Sequence, residues 1–79
     1  MTSTAALAPV SVDSTLLARV IYNRNELILD LQFCDGAIYR YFAVPAAIYY
    51  SLLAADSKGS FFNRQIRGCF RYVLLRRPR

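Results

Sequence analysis

The sequence predicts an α+β fold: a small antiparallel sheet, a three-stranded meander plus a C-terminal strand, packed on one or two short helices. Three observations lead there. Leu27, Leu29, Leu31 and Phe33 fall on one face of an alternating run, as in a half-buried strand. Asp35-Gly36 then separates that run from a second strand-like one, which is the pattern of a hairpin. Beyond Val44-Pro45 the chain changes to helix formers, and Phe70 to Leu75 returns to strand composition.

Residues 1–12 are small, with a proline and no period, and read as a flexible lead to a single domain over 13–75. Leu17 to Tyr22 is aliphatic and ends in the turn-like cluster Asn23-Arg24-Asn25, giving the first strand. Leu27 to Phe33 is the second and Ala37 to Phe42 the third. Register decides which side chains face inward, because a slip of one residue turns every side chain over. A two-residue Asp-Gly loop would set Leu31 opposite Arg40 and turn Tyr39 and Tyr41 outward. A three-residue Cys-Asp-Gly loop, with Gly36 in the left-handed region, pairs Leu31 with Tyr39, Leu29 with Tyr41, and Asp30 with Arg40. The cross-strand charge pair favours the second register, which turns both tyrosines inward.

Pro45 suits the first turn of a helix, and in Ala46 to Ala55 the residues Ile48, Leu52 and Ala55 share a face with Tyr49 and Leu53 beside them. Asp56-Ser57 offers capping side chains for a second helix over about Ser60 to Ile66. Gly68 stops it, the last strand follows, and Arg76-Arg77-Pro78-Arg79 reads as a mobile basic tail.

The 79 residues hold one domain, and with 56% hydrophobic residues they can form a core. The formal charge of +5 is unevenly spread. All five acids (Asp13, Glu26, Asp30, Asp35, Asp56) precede Lys58. From there on come only cations: Lys58, Arg64, Arg67, Arg71, Arg76, Arg77 and Arg79. Such a one-signed third is the footprint of a chain that meets phosphate or an acidic surface; the plainer reading is a solvated rim. Phe42 to Ala55, the longest apolar stretch, contains Pro45 and falls short of the roughly 20 residues that span a bilayer, so no membrane role is expected. No secretory signal is evident, and Cys34 and Cys69 read as reduced thiols of a cytoplasmic protein.

Catalysis has no support. There is no histidine, which excludes Ser-His and Cys-His arrangements, and the carboxylates have no paired spacing. No metal or cofactor is expected. Cys69 lies between Arg67 and Arg71, whose charge would favour a thiolate, but a small buried hydrophobe is the favoured reading. Ser57, Gly59 and Ser60 precede a helix and are candidates to hold an anion, against the simpler role of a cap. Of the adjacent Phe61 and Phe62, one belongs to the core and the other is free to stack on a base or a partner. In the preferred register the outer face of the sheet carries Ile21, Ile28, Ile38 and Phe42, an apolar set suited to association.

Taken together, Ser14, Leu17, Val20, Tyr22 and Leu29 to Phe33, then Gly36, Tyr39-Arg40-Tyr41, Val44-Pro45, Tyr49 and Leu53, resemble the KTSC domain. The closing stretch, Ser57-Lys58-Gly59, Phe61-Phe62-Asn63, Ile66, Gly68 and Phe70, is similar to it as well. The resemblance covers about Ser14 to Val73. Ile21, Cys69 and Arg71 depart from the family's usual residues, and the turn at Asn23 to Asn25 looks short. The module is named for the C-terminus of some lysyl-tRNA synthetases and also stands alone in small bacterial and phage proteins. The resemblance therefore implies RNA binding.

Two functions follow as expectations. The first is a non-enzymatic module that binds nucleic acid, RNA before DNA, through Lys58, Arg64, Arg67, Arg71, Arg76 and Arg77. The second is a protein-interaction or self-associating module, including a phage-borne inhibitor, that uses Ile21, Ile28, Ile38 and Phe42.

Overall fold

The computed structural model describes residues 9–12 and 14–79. Strands β1 (Val10–Ser11), β2 (Leu17–Asn23), β3 (Ile28–Phe33) and β4 (Ile38–Tyr41) come first. Helix α1 (Ala46–Ala54) and the short α2 (Lys58–Phe61) follow, and α2 runs on into a π-helical turn over Phe62–Ile66. Strand β5 (Tyr72–Arg76) closes the sheet, whose order is β1-β2-β3-β4-β5 with every neighbour antiparallel.

The β3–β4 register is the one that charge and polarity favour. Leu29 faces Tyr41, Asp30 faces Arg40 and Leu31 faces Tyr39. The loop is Cys34-Asp35-Gly36: the Phe33 N–H donates to the Ala37 carbonyl at 2.8 Å, and Gly36 sits at φ +95°. Arg40 donates two hydrogen bonds to the two carboxylate oxygens of Asp30, at 2.8 and 2.9 Å. This fork-on-carboxylate geometry fixes the pairing more firmly than a point charge would.

Two features of the sheet differ from the sequence expectation. Val10–Ser11, inside the expected lead, pairs with β2 as a two-residue edge strand; residues 1–8 and Asp13 lie outside the described residues. At the other end Arg76 belongs to β5, and the Arg79 N–H donates to the Asp35 carbonyl at 2.8 Å. A Cβ on Gly36 would come within 2.8 Å of the Arg79 side chain, so the end of the basic tail lies against the β3–β4 loop.

The helices cover one face of the sheet. Leu17, Val20, Leu29, Leu31, Leu52 and Ile66 are fully buried between the layers. Tyr22 stacks on Tyr49 with ring centroids 4.8 Å apart, and its hydroxyl donates to the Val44 carbonyl at 2.5 Å. That bond anchors the β4–α1 connection, where the Val44 N–H in turn donates to Leu27. Ser57 is the N-cap of α2 and its hydroxyl accepts from the Ser60 N–H. The π-helical turn ends with the Arg67 N–H bonded to the Phe62 carbonyl, and Gly68 follows at φ +77°, a left-handed stop that suits glycine.

Candidate functional site

Tyr39 and Tyr41 on β4, Tyr72 on β5, and Phe62 and Asn63 in the π-helical turn line one cleft of about 390 Å³, with Arg67 and Gly68 at its mouth. Strand pairing places Tyr41 directly opposite Tyr72. The ring centroids of Tyr39–Tyr72 and Tyr41–Tyr72 are each 5.6 Å apart, and Phe62 meets Tyr41 edge-on at 5.9 Å. Phe33 closes the floor, edge-on to both Tyr39 and Phe62. Tyr41 and Phe62 are buried and form the back wall, Tyr39 is half-buried, and Tyr72 is 53% exposed. The ring at the mouth is therefore free to meet a ligand.

The polar groups sit toward solvent. Asn63 and Arg67 are one helical turn apart, and the Arg67 guanidinium donates to the Asn63 side-chain oxygen at 3.4 Å. Both side chains are exposed, and that bond does not use the Asn63 amide N–H₂ or most of the guanidinium donors. Burial pushes the Tyr41 hydroxyl up to about 12, with the neighbouring Tyr39 and Tyr72 adding to the rise and Arg67 opposing it. A buried phenol of this kind stays neutral at physiological pH and serves as a wall, not as a base.

The expected basic residues have different placements. Arg67 belongs to the cleft, whereas Arg64 lines a separate groove with Ser57 and Phe61 and donates to the Ser60 carbonyl at 3.4 Å. Lys58 donates to the Ala55 carbonyl at 2.9 Å and so closes the C-terminal end of α1. Arg71 lies over the Phe42 ring at 5.5 Å, and Arg76 pairs in register with Ile38. Arg77 is exposed just beyond β5.

Of the anion-holding groups expected at Ser57, Gly59 and Ser60, the Ser57 hydroxyl and the Ser60 N–H are bonded to each other. The Ser57 carbonyl takes the Phe61 N–H, and Gly59 packs toward Leu16. The cap is the reading this geometry supports.

Phe62 is the core member of the phenylalanine pair and Phe61 is half-buried. Cys69 is exposed, against the buried reading; the left-handed turn at Gly68 carries it away from the core, with its Sγ 3.9 Å from the Arg64 carbonyl. Ile21 and Ile28 share a shallow outer depression with Asp30 and Arg40. Ile21, Ile28, Ile38 and Phe42 are each half-buried by their neighbours. The more exposed apolar surface is on β5, where Tyr72, Val73, Leu74 and Leu75 lie between 44% and 53% exposed. Among the described residues that strand is one of the two edges of the sheet, paired on its β4 side alone, a position pattern alone does not reveal.

The profile of the KTSC domain matches residues 13–72. A Tsukamurella paurometabola protein is 41% identical over 64 residues, covering 81% of this chain and 96% of the relative. The lysine–tRNA ligase of Nostoc punctiforme is 32% identical over 63 residues, which is 80% of this chain but 11% of the ligase. In three dimensions the chain is similar to the crystal structure of the KTSC domain protein from Yersinia pestis, with a TM-score of 0.84 and 28% identity. That match covers 90% of this chain and 99% of the other.

Proposed function

The chain belongs to the KTSC domain family, and from that premise we propose that it is a small non-enzymatic module that binds nucleic acid, RNA in preference to DNA. One observation carries the reading. Among the described residues, the single ion pair is Asp30–Arg40. The cations from Lys58 onward meet carbonyls, an amide and an aromatic ring, but no carboxylate among the described residues. Positive charge left without a counter-charge is what phosphates neutralise on binding, with release of their counterions. A similar stretch in a lysine–tRNA ligase supports RNA as the polymer.

The test is a titration of single-stranded RNA at increasing salt. With four or five phosphate contacts, affinity falls about a hundredfold between roughly 50 and 200 mM salt. Arg64→Gln and Arg67→Gln each lower the slope of that dependence by about one. Salt-independent binding, or no binding of RNA or DNA at low salt, sinks the proposal.

The edge strand β5 favours a second reading, self-association. Two copies pairing antiparallel about Leu74 set Val73 against Leu75 and Tyr72 against Arg76, matching apolar with apolar and a ring with a guanidinium. Arg71 then meets Arg77, so this contact strengthens with salt where RNA binding weakens.

A further inference from the structure

We propose that the aromatic cleft between β4, β5 and the π-helical turn is a subsite for one unpaired nucleotide, its base against Tyr39 and Tyr72 and its phosphate at Arg67. This deepens the nucleic-acid reading and rests on it. Four observations support the assignment.

The first is the exposed ring. Tyr72 holds a large aromatic face at the mouth of a cleft while half of its surface remains in water, and the inner rings that it packs against keep it in place. Every nucleobase has a π-face, so such a ring stacks on a base whatever its sequence. The second is size. About 390 Å³ is at the small end of ligand clefts, which suits one planar group and excludes a duplex groove or a partner helix.

The third is chemistry at the rim. Asn63 offers an amide whose N–H₂ is not used by Arg67, and amides read the hydrogen-bonding edges of bases. Arg67 brings a planar cation, with no carboxylate partner among the described residues, within a turn of that amide. The fourth is polarity along the cleft. The carboxylate of Asp35 lies at the end formed by the β3–β4 loop, where it already accepts from the Ala37 N–H. Arg79 lies against the same loop and balances that charge, whereas Arg67 has no carboxylate partner among the described residues and is the place for the phosphate.

The experiment records amide NMR spectra of the full chain during titration with adenosine 5′-monophosphate, with ribose 5-phosphate as the probe lacking a base. The expected result is saturable shifts at Tyr39, Asn63, Gly68 and Tyr72 with the nucleotide, and shifts limited to the surroundings of Arg67 with the sugar phosphate. Identical shifts with both probes overturn the subsite.

A second measurement takes oligouridine affinity in the Tyr72→Leu variant, whose position on an exposed edge strand leaves the buried core untouched. Affinity falls about tenfold with the salt slope unchanged, as loss of one stacked base requires. If oligouridine binds and Tyr72→Leu stays within twofold of the parent, the cleft proposal fails while the nucleic-acid reading stands. If no oligonucleotide binds but the mononucleotide shifts the cleft amides, the polymer reading fails and the cleft remains a nucleotide site.

Discussion

Tyr41 shows what one side chain does at the centre of this fold. It is 4% exposed, and burial pushes its hydroxyl up to about 12 from the ordinary 10.0. Tyr22 and Tyr49 are shifted in the same direction, both mainly by burial. A folded value above the unfolded one means that the folded chain holds the proton longer. The stabilising contribution is complete below about pH 10 and is lost as pH rises through about 12, because the unfolded chain ionises first. Urea unfolding measured across that window in the Tyr41→Phe variant therefore shows a shallower alkaline loss than the parent, with similar stability at neutral pH. Superimposable curves would refute this. The inward position of Tyr41 is legible in the sequence, because Asp30 and Arg40 can pair only in the register that turns both tyrosines in. The exposure of Cys69 is not, because it depends on the left-handed turn at Gly68, which no spacing of apolar residues reveals.

At the scale of elements, β5 is the strand whose role changes most between sequence and structure. Its composition marks it as a strand, but nothing local says that it forms an edge or that its inward residues extend beyond the helical layer. The π-helical turn is similarly hidden, since Phe62 to Ile66 has the composition of any short helix. β1 is hidden for the opposite reason: two residues among small neighbours carry too little pattern to signal pairing. An exposed apolar edge is a template for another strand. If copies pair through it, sedimentation at rising concentration detects a dimer that grows with salt, and Leu74→Lys abolishes it. A parent chain that remains monomeric throughout would remove the self-association reading.

The molecule as a whole is a meander whose strands lie in chain order, with both helices inserted between β4 and β5. The inner core is built from β2, β3, β4 and the helices, whereas all five residues of β5 are exposed. The cleft was illegible from the sequence for this reason, because Tyr72 joins Tyr39 and Tyr41 only after the chain has travelled through both helices.

This places the aromatic mouth on an edge of the sheet, where a strand opens more readily than in the centre. Edge elements with few buried contacts exchange their amides through local fluctuations, well below the free energy of global unfolding. Val73 and Arg76 amides are expected to exchange much faster than those of Leu29 and Leu31, with nucleotide slowing the former; equal protection across the sheet would contradict this. The mouth then behaves as a clasp. It can release and re-form around a base while the layers behind it stay closed.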